Sequence, residues 1–141
     1  WDGPALLTAR SHFNPDAETD DLLIDISIVH STDSAVANFL EPIKKIFREH
    51  ITIKPKQRGD KVIQDGAQAV HMAHFVRTQI MEKGVSGATT HIVGSFPLGL
   101  AVFIGMHLNA CGSIQCYEHK EKHEDEGVHK TYVPTCLLVR Q

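Results

Sequence analysis

Two short segments combine hydroxyl side chains with the start of a helical pattern, the setting in which a protein backbone binds an anion. The first is His30-Ser31-Thr32-Asp33, which closes the apolar run Leu22 to His30; the second is Gly94-Ser95-Phe96-Pro97-Leu98, which closes Thr89 to Ser95. Ser31, Thr32 and Ser95 supply hydroxyls. The unpaired N–H groups and the dipole at a helix start favour phosphate at such points. Phe96 offers a ring on which a base could stack. The plainer account of both segments is helix capping with core packing.

Several common chemistries are not supported. Gly94 and Gly99 have the spacing of a phosphate-binding loop, but Leu100 and Ala101 stand where it needs a lysine and a hydroxyl. No G-x-G-x-x-G follows a strand, and Ser95 is not in a G-x-S-x-G elbow. Asp25 with His30 or His91 can be drawn as a catalytic triad, but no spacing fixes that geometry. Ten histidines are present, among them His71 and His74 on a helical stretch and His119, His123 and His129 around an acidic loop. Without C-x-x-C or H-E-x-x-H they read as surface and packing residues, so no metal and no cofactor is expected. His91, in a buried-looking strand, reads as a satisfied core histidine.

The elements that must position these segments follow from periodicity. Residues Trp1 to Asp21 show none and read as a loop-like lead-in, with the core in 22–141. Leu22 to His30 is nearly continuously apolar, as in a strand covered on both faces, although Asp25 and Ser27 share one face. Ser31 to Ser34 is an N-cap cluster, and Val36, Phe39, Leu40, Ile43, Ile46 and Phe47 follow at helical spacing, with a kink expected at Pro42. Ile51 to Ile53 is a short strand and Pro55 to Gly59 a basic loop. Asp65 with Gln68 starts a second helix whose stripe is Ala69, Val70, Ala73, Val76 and Ile80, and Gly84 is placed to end it in a left-handed cap. Thr89 to Ser95 is a strand, and Leu98 to Ala110 a third helix, apolar nearly all round. Ser113 to His119 is a strand, Lys120 to Gly127 a charged hairpin-like loop, and Thr131 to Val139 a last strand held to an edge or bulge by Pro134. Strands alternating with helices predict a single α/β domain over 1–141: a mostly parallel sheet with helices on both faces and an antiparallel C-terminal edge.

Bulk properties narrow the class. A chain of 141 residues with 42% hydrophobic residues can bury one core without disulfide staples. Three cysteines, at 111, 116 and 136, are a poor disulfide framework and point to a reducing, cytoplasmic setting. The longest apolar run, Leu98 to Met106, is too short for a membrane span. No secretory pattern is present, and the start at Trp1 is expected of a piece of a longer protein. The net charge of −3 conceals a basic block, with seven Lys or Arg against two acids between Lys44 and Lys61. A local basic block on a mildly acidic chain suits a small anionic ligand better than duplex nucleic acid.

An ordered set of motifs adds a family resemblance. His91-Ile92-Val93-Gly94-Ser95-Phe96-Pro97, then Leu98 to Asn109, then Ile114-Gln115-Cys116-Tyr117-Glu118 and Tyr132-Val133-Pro134 resemble the closing half of SAVED domains. Ile26-Ser27-Ile28-Val29-His30 and Asp65-Gly66 are similar to that family's upstream strand and pre-helix glycine. The resemblance implies a Rossmann-like, CARF-like half of a sensor that binds a cyclic oligonucleotide, such as a cyclic oligoadenylate, in antiphage signalling of the CBASS or type III CRISPR kind. It implies ligand-driven homo-oligomerisation, an N-terminal SAVED half and an effector on the same or another chain, and no catalysis within this one. Carried onto matching positions, it places ligand contacts at His30, Ser31, Thr32, Ser95, Phe96, Pro97 and Leu98, with Lys54, Lys56 and Arg58 steering phosphates. The alternatives are a small Rossmann-like enzyme that cleaves a nucleotide ligand and a non-catalytic interaction domain.

Overall fold

A computed structural model describes residues 7–56, 66–96, 101, 104–105 and 112–138. Its strands are β1 (Leu7–Phe13), β2 (Asp21–Ser27), β3 (Phe47–Pro55), β4 (Thr89–Ser95), β5 (Ser113–Glu124) and β6 (Gly127–Leu138), and its two full helices are α1 (Asp33–Leu40) and α2 (Gly66–Lys83). The six strands form one sheet in the order β1-β3-β2-β4-β5-β6. The fold is therefore α/β, with few helices.

Strand β2 organises the sheet. Its side chains alternate between two cores, as the period of two requires. Leu22, Ile24 and Ile26 join Ile51, Ile53 and Ile92 against Met72, Val76 and Ile80 of α2. Leu23 joins Val93, Phe47 and Tyr132 against Val36 and Phe39 of α1. Each fully buried isoleucine contributes roughly 1.5–3 kcal/mol, so β2, with seven residues of which six are buried, is the heart of both cores.

The expectation of a mostly parallel sheet is corrected. Strands β3, β2, β4 and β5 run parallel, but β1 pairs antiparallel with β3 and β6 antiparallel with β5. The antiparallel ladders are long and pair more residues than the parallel ones. The antiparallel C-terminal edge is as the sequence predicts; β1 and the outer part of the β5–β6 ladder are exposed and leave no apolar trace. Strand β1 falls in the stretch read as a loop: only Leu7 is buried along it, so no apolar face marked it. Backbone pairing from Leu7↔Pro55 to Phe13↔Glu49 holds it in place. The charged stretch read as a loop is mostly strand too, for β5 and β6 continue to Glu124 and Gly127 around a two-residue turn. Exposed charges on both of its faces erase the apolar alternation that reveals a strand. Pro134 lies on the edge strand beside a bulge at Cys116/Tyr117, where its missing N–H disrupts nothing.

Helix α1 is shorter than its periodicity predicts. It ends at Leu40, and Ile43 and Ile46 are set by two successive turns, with N–H bonds to Leu40 and Ile43 carbonyls at 3.0 Å each. These turns keep Ile43 and Ile46 against the α1-side core while releasing Phe47 to start β3. Gly84 is not left-handed either. Its N–H donates to the Ile80 carbonyl at 2.8 Å, and a Cβ there would stand 2.7 Å from that oxygen. The reason for glycine is close approach. The cap at Asp65 and most of the third helix lie outside the described residues; Ala101, Ile104 and Gly105 are helical.

His91 links three strands. Its Nε2 lies 2.8 Å from Asp21 Oδ2 on β2, and its Nδ1 lies 2.7 Å from the Tyr117 hydroxyl on β5. The ring also meets the edge of Phe47. Replacing His91 by alanine leaves both partners under-satisfied, so His91→Ala is expected to lower unfolding free energy by about 2–3 kcal/mol. Urea denaturation followed by circular dichroism checks this, with an unchanged slope expected.

Candidate functional site

The carboxyl ends of β2 and β4 lie side by side, with Ser27 opposite Ser95. Beyond Ser27 the chain folds over β4 and is bonded to one residue. The Ser95 carbonyl accepts N–H bonds from Ile28 at 2.8 Å and Val29 at 2.9 Å, and its hydroxyl accepts the His30 N–H at 3.2 Å. Ser27 Oγ donates to the His30 carbonyl at 3.0 Å, closing the turn from inside. Glycine at 94 permits this approach: a Cβ there would lie 2.3 Å from the Ile26 carbonyl oxygen and 3.0 Å from the Phe96 ring.

This turn delivers the chain to α1. Thr32 is the N-cap, and its carbonyl accepts the Val36 N–H at 2.8 Å. Its hydroxyl does not cap the helix. It donates into the sheet, to the buried Asp25 carboxylate at 2.8 and 3.0 Å. Ser31 Oγ instead accepts the Asp33 N–H at 3.4 Å.

Above the junction lies a cleft of about 320 Å³. One side is His30, Ser31, Thr32 and Ser34 with Gly94 and Ser95; the other is His119, Glu121, Lys130 and Tyr132 from the β5–β6 hairpin. The hairpin is anchored to α1 by Asn38 Nδ2, which donates to the Lys130 carbonyl at 2.8 Å. The His119 ring stands edge-on to Tyr132 at 5.6 Å. Among the described residues the cleft thus holds hydroxyls, a helix start, the Lys130 ammonium with Glu121 Oε1 3.9 Å away, and aromatic surface, a mixture suited to a phosphate with an attached heterocycle once the phosphate competes with Glu121 for Lys130.

Four sequence-predicted residues, His30, Ser31, Thr32 and Ser95, meet in this cleft. Phe96 does not join them. The strand alternation sends Ser95 to the α1 side and Phe96 to the α2 side, where it packs on the other core beside Ile104. Lys54 and Lys56 are exposed at the end of β3, one strand further from β4, and do not line the cleft. Pro97, Leu98 and Arg58 lie outside the described residues. Sequence reasoning missed His119, Glu121 and Lys130, because it placed them at or in a loop. Tyr132 was signalled only by its place in the Tyr132-Val133-Pro134 motif.

The triad readings are corrected: His91 is bonded to Asp21, not Asp25, and both its nitrogens are engaged. Among the described residues no cluster of His, Cys, Asp or Glu could hold a metal ion, and no helix is long and apolar enough to cross a membrane.

Residues 2–138 match the family described as SAVED, the SMODS-associated and fused to various effectors sensor domain. The chain belongs to the SAVED family. Among solved structures, it is similar to the Acinetobacter baumannii Cap4 SAVED/CARF-domain containing receptor with the cyclic trinucleotide 2'3'3'-cAAA, at TM-score 0.67 and 16% identity, covering 97% of this chain and 28% of that one. The same receptor with 3'3'3'-cAAA gives 0.63 and 14%, covering 96% and 28%. This SAVED chain therefore spans little more than a quarter of the length of those receptors. No curated relative matches it.

The two tyrosines of this SAVED chain report on the cleft and the core. Burial, with the Asp25 carboxylate second, pushes the Tyr132 phenol up to about 12; burial, then Asp21, raises Tyr117. A raised folded-state value means that the stabilising contribution is complete below pH 10 and is lost as pH rises towards 12. Tyrosinate absorbance of the folded chain is therefore expected to develop only above pH 10, later than in urea. Tyr132→Phe should remove the higher of the two transitions. An ordinary titration curve for the folded chain would contradict this environment.

Proposed function

We propose that this chain is a ligand-binding half of a SAVED sensor that takes a cyclic oligonucleotide, a cyclic oligoadenylate in the first instance, in the cleft between the β2–β4 junction and the β5–β6 hairpin. The observation that carries the reading is the meeting of His30, Ser31, Thr32 and Ser95 with Lys130 across one cleft at the carboxyl ends of parallel strands. That edge is where open α/β sheets bind ligands. A phosphate takes the Ser31 and Ser95 hydroxyls and the first N–H groups of α1, Lys130 supplies countercharge, and a base packs on the His119 and Tyr132 rings. Lys54 and Lys56, on the same edge of the sheet, and Arg58 steer the ligand at longer range.

A cleft of about 320 Å³ is at the small end of ligand sites, which run roughly 300–1,000 Å³. A ring of several nucleotides overhangs it. A second CARF-like half, on this protein or on another copy, supplies the rest of the pocket. Bridging of the two by one ligand then drives assembly and switches on a fused or associated effector in the cytoplasm. Pro97 and Leu98 belong to the same ligand-facing junction in this reading, and Phe96 supports it from the opposite face.

Thermal denaturation of the full-length protein with a panel of cyclic di-, tri- and tetranucleotides tests the proposal. One member is expected to raise the melting temperature by several degrees, since a ligand at about 100 times its Kd adds roughly 2.7 kcal/mol. Lys130→Ala should weaken binding several-fold and reduce its salt dependence. Ligand recovered after incubation should be intact by chromatography. No shift with any member would end this reading, and cleaved ligand would replace it with an enzyme.

A further inference from the structure

Asp25 is sparsely partnered among the described residues. It interrupts the apolar run of β2, is 2% exposed, and meets no lysine or arginine among the described residues. Its hydrogen-bond donor is the Thr32 hydroxyl, whose single proton lies between both carboxylate oxygens at 2.8 and 3.0 Å. His50 Nε2 stands 4.0 Å away, too far for a hydrogen bond, and is itself buried without a hydrogen-bond partner among the described residues. A buried carboxylate so sparsely compensated costs stability that an apolar residue would not. What the carboxylate does hold is Thr32, which lines the cleft, begins α1 and spends its hydroxyl on Asp25 in place of its own helix.

We infer that Asp25 is a positioning residue for the ligand: through Thr32 it fixes the orientation of Ser31 and the first-turn N–H groups of α1 from beneath the cleft. The inference rests on the proposed function for its ligand. Thr32 stands between Asp25 and the cleft, so the carboxylate orders the anion's donors without touching the anion. A site whose donors are already aligned binds without the entropy cost of ordering them. The neighbouring Ser95 bonds secure the segment up to His30, and the Asp25–Thr32 bond secures the next two residues, where the helix begins.

The test compares Asp25→Val with Asp25→Asn in the full chain. Valine suits a buried strand but offers Thr32 no acceptor; asparagine keeps an acceptor oxygen. Asp25→Val is expected to melt within a few degrees of wild type yet bind cyclic triadenylate about tenfold more weakly, with amide exchange at 33–36 faster and exchange at 91–93 unchanged. Asp25→Asn should recover most of the affinity and the protection. Thr32→Val, which removes the bond from its other end, should repeat the loss of affinity and of protection at 33–36, but at a lower melting temperature, because the buried carboxylate loses its donor; the double variant Asp25→Val/Thr32→Val, which buries neither group unpaired, stands in if a single variant does not fold. Unchanged exchange at 33–36, or binding as tight as wild type or tighter, would overturn the inference. Wild-type protein that binds no cyclic nucleotide would overturn the proposed function instead, and the exchange comparison would still decide the role of Asp25.

Discussion

The three hydrogen bonds that gather residues 28–30 onto Ser95 are the constraint on which the site depends. A strand end normally releases its chain into solvent. Here the chain leaving β2 is turned back across β4, because one carbonyl accepts two successive N–H groups and one hydroxyl accepts a third. The turn decides where α1 starts, and therefore which N–H groups face the cleft. Gly94 is the sequence cost of this arrangement, since any side chain there would collide with the Ile26 carbonyl. Removing the bonds would leave both strands in the sheet and this wall of the cleft unformed.

The second half of the cleft comes from a part of the chain with opposite physical character. The β5–β6 hairpin runs past the end of its pairing with β4 and carries charged side chains on both faces. Its inner part is nevertheless fixed, because Tyr132 is in the α1-side core and Asn38 bonds the Lys130 carbonyl. A wall of hydroxyls and helix donors thus faces a more solvated wall bearing an imidazole and an ammonium–carboxylate pair, Lys130 with Glu121. Such a division suits an anion that is captured first by charge and then oriented by fixed donors.

How much of this was legible in the sequence depended on burial. Strands β2 and β4 and helix α2 announced themselves because continuous or periodic apolar residues leave one reading. Their junctions are legible only in part: the apolar run suggests a strand to His30, whereas β2 ends at Ser27 and 28–30 turn over β4, yet His30, Ser31, Thr32 and Ser95 still come together in one cleft. Strand β1 and the outer hairpin are held by backbone bonds and exposed side chains, and neither leaves a periodic trace. Phe96 leaves the cleft because a strand puts sequence neighbours on opposite faces, so it follows Ser95 in sequence but packs on the α2 side. His119 and Lys130 were out of reach because the register Lys120↔Thr131, which brings their strands to the cleft, follows from a turn that the charge pattern concealed. The strand period puts Asp25 on one face with Ser27, but its bond to Thr32 spans a helix start that periodicity alone does not orient.

The most direct test of the account is a map of amide chemical shifts as the isotope-labelled chain is titrated with cyclic triadenylate. Changes concentrated at residues 30–35, 94–95, 119–121 and 130–132, on both walls of the one cleft, are expected. Changes centred instead on Gly84 to Ala88 and Ser113, around the hollow at the opposite ends of the strands, would contradict it.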